Sequence, residues 1–343
     1  MFSKQLILVF PLSINDNMLW YLSLDTTPAK KMLRVLELVE KGREWDKALK
    51  NVLNTKPYRY MLFAHDLSTG DIFKVMKALS EGKEVEGKLS SIYNEYKKCL
   101  ENKEEYYSLV KKIDENKNEI LREACRRASE YLPKNTEVEA KIYFVVGGSD
   151  AYGVNLIDTL AVVMNITHFL GNLNKLSAVL AHELHHKALG HYGREIYWRL
   201  TRKGLINMRN VYEILLEVMG EGIASLVASP YLAFKKYLAL KESIKEEYRK
   251  VETGIIKAYA GKNVLNELYP NIGPVYTVGL DMSLKIETTL GKQKLVETLN
   301  DPTTFSFFYN YMRAVDLSGE GYYFSTETIE ILSELKEKIN NMI

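Results

Sequence analysis

Val179-Leu180-Ala181-His182-Glu183-Leu184-His185-His186-Lys187-Ala188-Leu189 is the segment from which both fold and chemistry are read. Val179, Leu180, Leu184 and Leu189 give it an apolar helical setting. On such a helix His182 and His186 lie four residues apart, one turn from each other on one face, so both imidazoles can reach a single Zn²⁺. Glu183, beside the first imidazole, then projects next to the ion, where its carboxylate can take a proton from water as a general base. Burying a carboxylate and two imidazoles on an otherwise apolar helix is costly without a metal or polar partners. His185 faces away from the pair, and nothing beside His168 has ligand spacing, so neither counts as a ligand. The long stem of Lys187 is expected to carry its ammonium to solvent.

A catalytic zinc needs a third protein ligand and an open position for water. Leu215-Leu216-Glu217-Val218-Met219-Gly220-Glu221-Gly222-Ile223-Ala224-Ser225 places two carboxylates on one face of a second apolar helix. Glu221 is the favoured ligand and Glu217 a partner that orients a histidine ring, although the two roles can be exchanged. His191 is the competing third ligand. Its register argues against it, because a histidine-ligated loop after the motif wants Gly at 189 and His at 192, where Leu189 and Tyr192 stand.

Working outward, Asn174 is positioned to cap the motif helix, with Gly190 and Gly193 blurring its far end. Before it, Lys141–Val146 and Leu160–Thr167 read as short strands around a Gly147-Gly148 turn and a polar loop. After it, Val211–Ser229 reads as an apolar helix closed by Pro230, followed by three or more amphipathic helices. Residues 26 to 135 read as helical throughout. Thr27 and Pro28 open the first helix, further helices follow Asp46 and Asp71, and Asn102 and Asn116 break a lysine- and glutamate-rich stretch. The expected fold is therefore α+β and mostly helical: a helical N-terminal region, 1–135, followed by a catalytic region, 136–343, containing a small sheet.

Composition narrows the function classes. Across 343 residues, 46 basic side chains nearly cancel 44 acidic ones, leaving a formal charge of +2. No general attraction to nucleic acid or to an anionic membrane follows from that balance. Cys99 and Cys125 lack the paired spacing of a disulfide framework or thiolate metal site and suit a reducing cytoplasm. The apolar start, Met1 to Leu12, is short for a signal peptide and reads as a buried strand. No uncharged stretch approaches the roughly 18 residues that cross a bilayer. Glutamine occurs only at Gln5 and Gln293, while Lys, Glu, Ile and Tyr are abundant, a bias associated with high-temperature proteomes.

With these residues in place, the chain resembles gluzincin metallopeptidases, and more narrowly the zinc-dependent peptidases in which the helix motif is followed by a distant Glu-Gly-x-Ala. The resemblance rests on His182-Glu183-Leu184-His185-His186, on Glu221-Gly222-Ile223-Ala224, and more weakly on Tyr276 to Met282 followed by Gly291; it covers roughly residues 140 to 310. It implies a zincin-like catalytic region in which an edge strand, here Leu160–Thr167, pairs with an extended peptide substrate. It also implies Zn²⁺ held by His182, His186 and Glu221, with Glu183 as general base. An oxyanion donor is needed as well, and Tyr276 is the candidate among 23 tyrosines. The expected activity is peptide-bond hydrolysis on a peptide or protein substrate. The alternative is a metal-binding scaffold without useful turnover that binds peptides or a protein partner.

Overall fold

A computed structural model of the chain describes residues 8–10, 18–148, 151–156, 159–270 and 272–343. The side chains of residues 8–10, 152, 154–156, 159, 160, 191 and 192 are not among those described. Most of the N-terminal run read as a buried strand, and the side chain of His191, therefore lie outside the described residues. The chain forms two compact units. The first comprises Leu19–Cys125 and Glu137–Lys187 with one short N-terminal strand, and the second comprises Arg126–Thr136 and Ala188–Ile343.

The first unit carries a five-stranded sheet: β1 (Leu8–Phe10), β2 (Leu19–Asp25), β3 (Glu137–Val145), β4 (Ala151–Leu156) and β5 (Thr159–Asn165). Their spatial order is β1-β2-β3-β5-β4. The three central strands run parallel, with Leu22 opposite Ala140 and Ile142 opposite Val162, while β1 and β4 are antiparallel edges. On β3 the alternation is plain: Val138, Ala140, Ile142 and Phe144 are buried, whereas Glu137, Glu139 and Lys141 are exposed. On β5, Ala161 through Asn165 are all buried, as expected of a strand covered on both faces. The run expected to form the sheet edge is thus an interior strand, because β4 pairs along its outer side. The sequence of β4, Ala-Tyr-Gly-Val-Asn-Leu, alternates with period two, but its glycine and asparagine read as loop.

Gly147 and Gly148 close the turn after β3 with φ of 101° and 98°, a backbone region open to glycine. The Asn165 side chain pins the turn, its Oδ1 accepting from Gly147 N–H at 3.0 Å and its Nδ2 donating to Gly148 C=O at 2.8 Å. A Cβ on Gly148 would stand 2.6 Å from His65 Nε2, so the second glycine leaves room for a side chain of the protein itself.

Seven helices occupy the sequence between β2 and β3: α1 (Thr27–Glu40), α2 (Asp46–Leu53), α3 (Lys56–Ala64), α4 (Thr69–Ser80), α5 (Ser90–Glu101), α6 (Lys103–Glu115) and α7 (Lys117–Ser129). Helix α1 packs on β3, and α3 packs on β3 and β5. The breaks at Asn102 and Asn116 are as the sequence suggests, and each side chain donates to the carbonyl four residues earlier. Cys99 and Cys125 are free and buried, and burial pushes both thiols up to about 12. Both therefore remain protonated at neutral pH.

Helix α8 (Leu173–Arg202) carries the motif and continues without interruption through Gly190 and Gly193. Its first turn is capped by Asn172, whose Oδ1 accepts from Lys175 N–H at 2.8 Å. Asn174, the expected cap, is already helical, and the glycine Gly171 just before Asn172 explains the two-residue shift. The second unit is helical: α9 (Ile206–Val227), α10 (Ala233–Leu240), α11 (Ile244–Tyr259), α12 (Leu265–Leu268), α13 (Pro274–Leu290), α14 (Lys292–Glu297), α15 (Phe305–Ser318) and α16 (Thr326–Asn340).

Helices α9 and α13 form the centre of that unit and meet backbone to backbone. A Cβ on Gly279 would lie 2.1 Å from the Val218 carbonyl oxygen, and one on Gly222 would lie 2.3 Å from the Gly279 carbonyl carbon. Main-chain atoms fixed in helical hydrogen bonding cannot swing aside as a side chain can. Gly279→Ala and Gly222→Ala are each expected to cost about 2 kcal/mol or more, at the upper end of overpacking penalties. Urea unfolding of the full chain measures this, and a midpoint equal to wild type would remove the close-contact argument.

Candidate metal centre

Along α8, Leu176, Val179, Leu180 and Leu184 are buried at helical spacing, and the polar side chains among them are buried with them. His182 retains 5 % of its surface and Glu183 7 %, while His186 is partly exposed. The His182 and His186 rings lie 4.6 Å apart at 81°, and their Nε2 atoms face each other at 3.1 Å. Two ring nitrogens at that separation have repelling lone pairs unless a proton or a cation lies between them. His185 is fully buried, and His168 lies 3.9 Å from a Glu95 carboxylate oxygen. Lys187 does not reach solvent as its stem would permit, because it keeps only 5 % exposure. Its face of α8 is covered at β4, where a Cβ on Gly153 would stand 2.8 Å from Lys187 Nζ and 3.5 Å from Glu183 Oε2.

On α9, Glu221 is buried to 8 % exposure within the run Val218–Val227. Glu217, one turn earlier and partly exposed, accepts a hydrogen bond from the Tyr269 hydroxyl. Tyr276, partly exposed in the first turn of α13, packs edge-on against Tyr269 with centroids 5.9 Å apart. Burial, then the negative charges of Glu217 and Glu221, push the Tyr269 phenol far above the ordinary tyrosine range. Tyr269 was not singled out in the sequence, since it lies on no motif and is one of many tyrosines.

His182, His186 and Glu221 each offer one ligand atom, and these atoms lie within 4.8 Å of one another; it is the one such group of three among the described residues. Two imidazole nitrogens and one carboxylate oxygen are a common donor set of zinc sites that keep a position for water. The donor chemistry therefore fits zinc.

A family model described as "Putative zinc dependent peptidase (DUF5700)" matches residues 49–319. The chain belongs to this family. No curated protein and no solved structure matches it. The zinc-dependent family's match begins in α2 and ends just past α15, so it takes in the N-terminal helices as well as the motif helix.

Removing the Tyr269 hydroxyl tests the Glu217 contact. Tyr269→Phe is expected to lose about 1.5 kcal/mol near pH 7, typical of a hydrogen bond to a charged group. Above pH about 10 the unfolded phenol ionises while the folded one stays protonated, so the wild-type advantage falls as pH rises. Urea unfolding of both proteins at pH about 8 and about 11 reads the gap; a gap that widens with pH contradicts the assignment.

Proposed function

We propose that this chain hydrolyses peptide bonds, with zinc held by His182, His186 and Glu221. The observation that carries the reading is the convergence of those three ligand atoms, with Glu183 buried on the helix that bears both histidines. When bound, zinc supplies Lewis acidity and brings the pKa of its water to about 7. Glu183 accepts the proton of the attacking water and then delivers it to the leaving amine, so one carboxylate serves both halves of the reaction. Tyr276 donates a hydrogen bond to the oxygen of the carbonyl under attack, where negative charge builds up.

The substrate in this reading is a peptide or protein segment in extended form. Edge strand β4, paired to β5 on one side, supports it, because an antiparallel edge offers main-chain groups to an added strand. The near balance of charges supports neither nucleic acid nor membrane as partner. Among the described residues no helix is long and apolar enough to cross a membrane.

The test separates metal binding from turnover. Glu183→Gln is expected to retain stoichiometric zinc by elemental analysis while cleavage of a mixed peptide pool falls about 100-fold or more. Glu221→Ala is expected to lose both zinc and cleavage, and chelation followed by zinc restoration should switch wild-type cleavage off and on. If wild type and Glu183→Gln cleave the pool at the same rate, the peptidase reading is wrong and a peptide-binding scaffold takes its place.

A further inference from the structure

We propose that Lys187 is a positioning residue for the general base, its ammonium holding the Glu183 carboxylate at edge strand β4 above Gly153. The inference rests on the hydrolase reading of α8. An ammonium on a four-carbon stem normally extends into water, where it is strongly hydrated. Lys187 is nine-tenths buried and more, on the helix turn after Glu183, so the two side chains share one face of α8. The strand opposite presents the residue type that leaves space there. A methyl group on Gly153 would sit 2.8 Å from Nζ and 3.0 Å from Cε of Lys187 and 3.5 Å from Oε2 of Glu183. Ammonium and carboxylate, both on buried residues, thus converge on one point of the strand backbone.

Opposite charges attract more strongly in such surroundings than in solvent, and a carboxylate on a flexible side chain gains a defined direction from a fixed cation. The expected consequence falls on the chemical step, since near-attack geometry of the base governs proton transfer. The same glycine lies on the strand along which the proposed substrate extends, so base and substrate share one reference point.

The experiment uses the zinc-loaded full chain with Lys187→Met, Lys187→Arg and Gly153→Ala, and Glu183→Gln as control. Lys187→Met is expected to keep its zinc and its thermal midpoint, to lose tenfold or more in kcat, and to leave KM within about twofold. Gly153→Ala should follow in the same direction, and Lys187→Arg should recover part of kcat. Crystal structures of wild type and Lys187→Met give a readout independent of activity, in which the Glu183 carboxylate leaves its place beside Gly153 in the variant. An unmoved carboxylate, an unchanged kcat, an effect confined to KM, or loss of zinc and folding would each overturn the proposal. Equal inactivity of wild type and Glu183→Gln would instead refute the hydrolase reading, while the carboxylate position still decides the role of Lys187.

Discussion

Two imidazoles, a carboxylate and an ammonium are buried within six residues of α8, and that burial constrains much of what surrounds the helix. Each group loses hydration that an apolar interior does not replace, a cost of several kcal/mol per ionised group when nothing compensates. The facing Nε2 atoms of His182 and His186 sharpen the problem, because their lone pairs repel unless something positive is shared between them. A divalent cation held by His182, His186 and Glu221 would remove that repulsion.

Glycine leaves room for close neighbours in each unit. In the second unit, Gly222 follows Glu221 directly and meets Gly279 on α13 at main-chain contact. The Glu-Gly pair is therefore a ligand candidate joined to the residue that sets its helix against a neighbour. That gives the Tyr276 to Met282 segment a structural reason to accompany the metal motif, whatever Tyr276 does. In the first unit, Gly153 lets the edge strand pass over Glu183 and Lys187, while Gly147 and Gly148 turn the chain under Asn165. Larger residues at Gly222 and Gly279 would press on main chain, whereas at Gly147, Gly148 and Gly153 they would press on side chains.

The features legible in the sequence are those whose physical signal is local. Histidines four apart on an apolar helix, carboxylates at Glu217 and Glu221, and helix breaks at Asn102 and Asn116 all express a periodicity or a side chain acting on its own backbone. The sheet was half visible: β3 alternates and β5 is a continuous apolar run, so both stood out. Strand β4 did not, because Gly153 and Asn155 have low strand propensity and are tolerated there by the neighbouring strand and helix. The same non-local cause hid the burial of Lys187. Whether a long cationic side chain snorkels depends on what lies across from it, and β4 comes from a segment some thirty residues earlier. Tyr269 was hidden for a related reason, since its significance comes from Glu217 on another helix.

Several polar side chains in this chain are held in sets that satisfy one another. Asn165 takes hydrogen bonds from two main-chain N–H groups and gives its own to Glu95 and Gly148. Asp281 on α13 accepts from the hydroxyls of Tyr237 and Tyr248. Glu252 on α11 receives the Tyr322 and Thr328 hydroxyls and the Ser325 N–H. In each set a carbonyl or carboxylate is met by protein donors, so the set needs nothing from outside the chain. On α8 and α9, His182, His186 and Glu221 each offer one ligand atom within 4.8 Å of the others. Two imidazoles and a carboxylate form a donor set that fits zinc, which is the physical link between the metal motif in the sequence and the zinc-dependent family to which the chain belongs.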